Sequence, residues 1–185
     1  MRSYSANELM FHALRNALYH TARRRKLERW NRWATAATIM LGAAVVAEAV
    51  QKASIDAVWL GIATSAIGTA QLVFDFGGRA RTHEILQRRY YDLIAAIRRK
   101  PEPTEGEVAE WNSVLTLIFG DEPPTDPISD ALAYNAAGNA LGMAAKEALV
   151  VPIWLQVAGH FGGVSGWRFE TREERDARRK AGANA

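Results

Sequence analysis

Two uncharged segments lying close together most constrain what this 185-residue chain can fold into. One runs from Trp33 to Ala47 and the other from Ala57 to Phe74, and neither contains Asp, Glu, Lys or Arg. At about 1.5 Å per residue they form helices of about 22 and 27 Å, near the ~30 Å hydrocarbon core of a bilayer. A monomer of this size has little else to cover two helices that are apolar all round. We therefore predict a transmembrane hairpin with spans at 33–50 and 57–76 and a turn at 51–56.

Two alternatives account for the same segments. Apolar runs of this length also form core helices in soluble proteins. The sequence Ala47-Glu48-Ala49 is similar to a signal-peptide cleavage site. A signal peptide would need an n-region of more than 30 residues that itself contains an amphipathic helix, which is unusually long. The hairpin is the favoured interpretation.

Basic residues flank the two segments unevenly. Six lie between positions 23 and 32, seven lie between 79 and 100, and the connecting loop has only Lys52. Because Lys and Arg stay on the cytoplasmic side, both termini are expected in the cytoplasm. The first group lies beside a span, so lipid headgroups are better partners for it than nucleic acid, and no specific nucleic-acid partner is expected. That predicted headgroup-binding set is Arg23, Arg24, Arg25, Lys26, Arg29 and Arg32.

Tryptophans lie where a membrane interface would place them. Trp30 and Trp33 precede the first span, and Trp59 begins the second at the far interface. Trp154 and Trp167 belong to 150–167, which we expect to lie along the membrane surface. A third span and a segment packed on soluble helices remain alternatives for that stretch.

Small residues recur every four positions in both predicted spans. Such spacing lets helix backbones approach closely in lipid. The face serves either a tight hairpin within one chain, or an oligomer or pore in which it meets a neighbour. Its members are Ala57, Gly61, Ser65 and Thr69 in the second span and Ala34, Thr38 and Gly42 in the first.

The remaining segments predict soluble helices, which makes the chain all-α. Residues 1–32 form a basic amphipathic helix, and 77–149 form cytoplasmic helices that include an Ala-rich helix over 128–149. Ser5 with Glu8 and Thr104 with Glu107 have capping-box spacing. The stripe Leu86, Tyr90, Leu93 and Ile97 is expected to pack on Phe11, Leu14 and Leu18 in a cytoplasmic bundle. Residues 168–185 are a charged, solvated or frayed tail.

Catalytic and metal-binding patterns are missing from the sequence. There is no cysteine, and His83-Glu84 begins a zinc-protease pattern that Gln87 breaks. The other histidines have no partner spacing that suggests ligation, and no phosphate-binding glycine loop is present. We expect no enzyme activity, no cofactor and no metal.

The layout resembles the SLATT superfamily of bacterial two-transmembrane proteins, and most closely its short phage and prophage members. The resemblance covers about Phe11 to Trp154. Its segments include the basic stretch from His20 to Lys26, Phe74-Asp-Phe-Gly-Gly-Arg-Ala-Arg-Thr-His-Glu and Arg89-Tyr-Tyr-Asp-Leu. Asp121-Glu-Pro-Pro, Asp130-Ala-Leu-Ala-Tyr-Asn and Pro152-Ile-Trp complete the set.

That resemblance implies a bacterial inner-membrane protein whose hairpin forms pores in defence or conflict systems. In the superfamily a sensor domain often gates the hairpin, and we expect no such domain in this sequence. We therefore expect an oligomeric, pore-like effector embedded in the lipid bilayer. The alternative is a membrane-anchored interaction protein with an unidentified protein partner, such as one that excludes other phages or modifies the host envelope.

Overall fold

The computed structural model describes residues 3–43, 52, 57–158 and 168–183. Within these ranges the chain is helical and forms no strand, which confirms the all-α prediction. The helices are α1 (Ala6–Gly42), α2 (Ala57–Phe74), α3 (Phe76–Arg98), α4 (Glu105–Gly120), α5 (Pro127–Ala140), α6 (Ile153–Ala158) and α7 (Arg172–Ala183), with a 3-10 turn at Ala145–Glu147.

The chain divides into two compact units. The larger comprises 1–22 and 84–185, and the smaller comprises 23–83. Helices α1 and α3 contribute residues to both units.

The core of the larger unit comes from α1, α3 and α4. On α3 the predicted stripe is confirmed, since Leu86, Tyr90, Leu93 and Ile97 are all buried. The core cluster also contains Ile94 and the α4 residues Trp111, Leu115 and Ile118.

The predicted stripe on α1 is confirmed only in part, because the centre of the buried face lies beside it. Leu9, Ala13 and Ala17 enter the core, whereas Leu14 is only partly buried against it. The reason is that α1 is covered on a second side by α5. There the Phe11 ring contacts Tyr134 at 5.2 Å between centroids, and Arg15 forms an ion pair with Asp130. Leu9, Ala13 and Ala17 therefore face the core, whereas Phe11 and Arg15 contact α5.

Both predicted capping boxes are present. The Ser5 amide donates to Glu8 Oε2 at 2.9 Å, and the Glu8 amide donates to Ser5 Oγ at 3.4 Å. Thr104 and Glu107 make the same reciprocal pair at the start of α4. Each box satisfies amides that the first turn of a helix leaves unpaired.

Helix α5 ends well before the predicted limit at 149. Gly142 adopts a left-handed φ of +77°, and the Met143 amide donates to the Gly138 carbonyl at 2.8 Å. This is a Schellman ending, which needs a residue tolerant of positive φ after the last helical turn. The chain then continues into the 3-10 turn.

The charged tail is exposed as predicted, but it is helical rather than frayed. The Glu174 amide donates to Thr171 Oγ1 at 3.1 Å, and the Thr171 amide donates to Glu174 Oε2 at 2.8 Å. A short antiparallel bridge joins Leu149 to Thr171 and fixes where α7 begins. A capping box and a tertiary contact together therefore order this end of the chain.

In the smaller unit, α1 and α2 run antiparallel to each other. Gln71 of α2 contacts Thr35 and Thr38 of α1, and a Cβ built on Gly77 would lie 4.0 Å from the Asn31 side chain. Helix α2 is separated from α3 at Asp75, which has a φ of +40° and accepts a hydrogen bond from the Gly78 amide at 3.0 Å.

Among the described residues, one helical stretch is long and apolar enough to cross a membrane, and it lies within Val58–Arg98. None of its apolar window is buried inside the protein, unlike a typical core helix of a soluble domain. The described part of the predicted first span does not meet the same requirements of length and hydropathy. The uncharged part of α1, from Trp33 to its end at Gly42, contains ten residues and is about 15 Å long. Residues 44–50 and most of the predicted turn lie outside the described ranges.

Candidate functional site

The candidate site is the paired α1–α2 segment of the smaller unit, where a polar seam joins two helices with apolar outer surfaces. Gln71 Nε2 donates to Thr35 Oγ1 at 3.1 Å, and Thr38 Oγ1 lies 3.2 Å from Gln71 Oε1. Thr38 Oγ1 also reaches the Ala34 carbonyl at 3.0 Å. Both ends of the Gln71 amide therefore have a partner on α1, with the single Thr38 hydroxyl hydrogen shared between Gln71 Oε1 and the Ala34 carbonyl. Such partners matter most for a polar group away from water. We call Thr35, Thr38 and Gln71 the polar seam.

Large apolar side chains cover the outside of this segment. Leu72 is 84% exposed and Val73 is 72% exposed on α2. Ile39 and Met40 are exposed on α1. Single exposed apolar residues are ordinary, but a set of them on both helices marks a surface that water does not favour. Lipid or another protein surface would cover it.

The predicted small-residue face is divided between two environments. Thr38 belongs to the polar seam and Ala34 beside it is half-buried, so these residues lie in the contact within one chain. Gly42 on α1 and the α2 row Gly61, Ser65 and Thr69 are exposed, and a Cβ built on Gly61 would meet nothing within 4 Å. Ala57 is the first residue of α2, and its side chain lies outside the part of the chain that the structure describes. The α2 row is therefore unused by the α1–α2 contact.

Four of the five predicted interface tryptophans fall in the described ranges, and all four are exposed. Trp33 and Trp59 are the most exposed of them, at 69% and 67%. Trp30 and Trp154 are 40% and 60% exposed. Trp154 lies on α6 beside Leu155, which is buried, so part of segment 150–167 is packed within the larger unit. Trp167 lies outside the described residues.

The predicted headgroup-binding residues differ in exposure. Arg25, Arg29 and Arg32 are exposed, whereas Arg23, Arg24 and Lys26 are half-buried. Glu28 pairs with Arg24 at 3.5 Å and with Arg32 at 3.6 Å. The basic residues therefore lie on two sides of α1, one exposed to solvent and one half-buried.

A second constellation, in the larger unit, was missed by sequence reasoning. His20 Nε2 lies 3.0 Å from Glu122 Oε1, and the Tyr90 hydroxyl donates to the same oxygen at 2.5 Å. The His20 and Tyr90 rings stack at 5.6 Å between centroids, and both residues are fully buried. We call His20, Tyr90 and Glu122 the buried cluster.

Burial raises the pKa of the Tyr90 hydroxyl far above its ordinary value, and the hydrogen bond to Glu122 raises it further. The hydroxyl is therefore a donor at any physiological pH. Glu122 lies 102 residues from His20 in sequence, so no local spacing could have revealed their contact. Within the described ranges, no group of three or more His, Asp or Glu residues is placed to hold a metal ion.

No family model, curated protein or solved structure matches the chain. The likeness to SLATT proteins therefore rests on the sequence segments quoted above.

Proposed function

We propose that the chain is a bacterial inner-membrane protein that acts as an oligomeric, pore-like effector of a phage, prophage or conflict system. One observation carries this proposal. The row Gly61, Ser65 and Thr69 is open, while a different side of α2 is held to α1 through Gln71.

Contacts between helices in lipid are stabilised differently from contacts in water. Apolar side chains gain little by leaving lipid for one another, so close packing along small residues becomes a main attraction. The side of α2 that carries Gln71 contacts α1, whereas the small-residue row is exposed and can contact a neighbouring subunit. Exposed Leu72 and Val73 lie beside that row and suit lipid. Repeating the contact around a ring would give an oligomer.

The test is to add bulk to the open row. Ser65→Leu would hold neighbouring backbones apart, so we expect it to abolish the oligomer and its effect on the membrane. Ala66→Leu is the matched control, because Ala66 is an exposed neighbour on the same helix but lies off the row. Both variants must still resist alkaline extraction from membranes, which shows that they insert.

Two readouts decide the outcome. The wild-type protein and the Ala66→Leu variant should migrate as a defined oligomer in mild detergent and dissipate membrane potential on overexpression. Ser65→Leu should do neither. A wild-type protein that is monomeric and leaves the potential unchanged would eliminate the pore.

The alternative function is a membrane-anchored interaction protein without a pore. It is favoured because, in the part of the chain that the structure describes, one stretch within Val58–Arg98 is long and apolar enough to span, and one span is sufficient for an anchor. This alternative predicts a normal potential on overexpression, with activity that depends on the surface of the larger unit.

A further inference from the structure

A shallow groove of about 580 Å³, open to solvent, lies along one face of α1, close to the start of the uncharged segment. Its lining residues follow one another at intervals of three and one along the chain, which places them on a single helix face. They are Arg25, Glu28, Arg29, Arg32, Trp33 and Ala36.

The groove is positively charged. Three guanidinium groups against one carboxylate leave it a net charge of +2. Arg25 and Arg29 are exposed, and the Arg32 side chain is 80% exposed, so all three guanidinium groups are accessible to a ligand. Guanidinium groups bind phosphate oxygens through paired hydrogen bonds. The groove therefore has the chemistry of a phosphate site.

The surroundings of the groove distinguish between phosphate-bearing partners. Trp33 and Ala36 form its apolar end, and exposed Ile39 and Met40 follow one turn further along α1. The face thus changes from cationic to apolar along the helix axis. A phospholipid has the same order, from phosphate to acyl chain, and Trp is characteristic of that boundary. Nucleic acid would require the positive surface to continue.

We infer that this groove binds the headgroup phosphate of an anionic phospholipid. The inference rests on the proposed membrane location and adds a lipid partner to it. Glu28 has a defined effect in this site, because its carboxylate repels the phosphate and holds Arg32 at 3.6 Å. Removing that carboxylate should strengthen binding, whereas removing an arginine should weaken it.

Native mass spectrometry of the full chain in mild detergent, with phosphatidylglycerol or phosphatidylcholine added, measures lipid retention. We expect wild type to retain phosphatidylglycerol in preference to phosphatidylcholine. The double variant Arg25→Gln/Arg29→Gln should bind phosphatidylglycerol roughly 25-fold more weakly, since each basic residue near an anionic membrane surface contributes about a factor of five. Glu28→Gln should bind it more tightly than wild type.

The matched control is Arg98→Gln/Arg99→Gln, which removes the same charge from exposed positions at the end of α3. This variant should retain phosphatidylglycerol like wild type. An equal loss in the control, or no loss in the Arg25/Arg29 variant, would overturn the inference. Displacement of the lipid by an equimolar single-stranded RNA oligonucleotide would also overturn it, in favour of a nucleic-acid site.

Membrane insertion is measured separately, by alkaline extraction of the wild-type protein from cell membranes. A protein that resists extraction but shows no phosphatidylglycerol preference contradicts the groove and leaves the proposed function standing. A protein that is fully extracted contradicts the proposed function, whatever its lipid preference in detergent.

Discussion

At the scale of single residues, removing the Tyr90 hydroxyl tests whether the buried cluster stabilises the fold. Tyr90→Phe removes the 2.5 Å hydrogen bond to Glu122 and leaves the ring in place. We expect the free energy of unfolding to fall by about 1.5–3 kcal/mol, as is usual for a hydrogen bond to a charged group. Urea unfolding followed by circular dichroism measures the change.

Tyr91→Phe provides the control for this substitution. Tyr91 is the next residue on α3 and is 41% exposed, so loss of its hydroxyl should change stability by less than about 0.5 kcal/mol. Equal effects of the two substitutions would show that the contact with Glu122 contributes nothing to stability.

Glu107 gives a residue-scale prediction about pH. Its pKa is lowered from 4.5 to about 2, first because the Thr104 amide donates to the carboxylate and then because Lys100 bonds to it. A carboxyl group with a lowered pKa in the folded state stabilises the fold above its unfolded pKa. The contribution of this cap is therefore complete above about pH 4.5 and is lost as the pH falls toward about 2.

Titration of the Glu107 carboxyl carbon by NMR checks this value. The wild-type midpoint should lie near pH 2. Lys100→Gln should raise it, while the Thr104 amide still keeps it below the ordinary value. A wild-type midpoint at the ordinary value of 4.5 would contradict the capping geometry.

At the scale of elements, two glycines should respond to the same substitution with opposite signs. Gly142 ends α5 at a φ of +77°, so Gly142→Ala should destabilise the larger unit by about 1–2 kcal/mol. Gly120 is the last residue of α4, and a Cβ built there meets nothing within 4 Å. Gly120→Ala should therefore be neutral or stabilise by up to about 1 kcal/mol.

Thermal unfolding of the two variants decides this point. A lower unfolding temperature for Gly142→Ala and an equal or higher one for Gly120→Ala are expected. The same decrease for both would mean that the left-handed turn does not determine where α5 ends.

The elements also show what the sequence could and could not predict. Helical periodicity correctly predicted the buried face of α3, because its apolar residues have only one face to occupy. On α1 it was correct only in part, because two helices pack on adjacent faces: Leu14 lies against the core, whereas Phe11 contacts Tyr134 of α5. The end of α5 depends on one positive φ at Gly142, which Ala-rich helix propensity obscured.

At the candidate sites, sequence patterns missed the features that depend on tertiary contacts. The four-residue spacing predicted the small-residue face, but spacing alone does not say which part of it meets α1. That division is set by Gln71, whose amide reaches Thr35 and Thr38 across the helix pair. The buried cluster joins residues about 100 positions apart, and such pairs leave no local pattern.

At the scale of the whole molecule, the two units differ in how they bury apolar residues. The larger unit has a core shared by α1, α3 and α4, although it also leaves Leu117 and Trp154 exposed. In the smaller unit, large apolar residues such as Trp33 and Leu72 remain exposed around the polar seam. An isolated protein in water would leave that surface uncovered, so the proposed membrane location predicts that lipid covers it.

The most direct test places a spin label at Leu72, which is simple because the chain has no cysteine. A nitroxide on Leu72→Cys, in the full chain mixed with phospholipid vesicles, reports accessibility to oxygen and to a water-soluble nickel chelate. Leu117→Cys on α4 is the control, since Leu72 and Leu117 are 84% and 67% exposed. If lipid covers the smaller unit, the Leu72 label will be accessible to oxygen and shielded from nickel, while the Leu117 label will be accessible to nickel. Equal nickel accessibility at the two positions would contradict it.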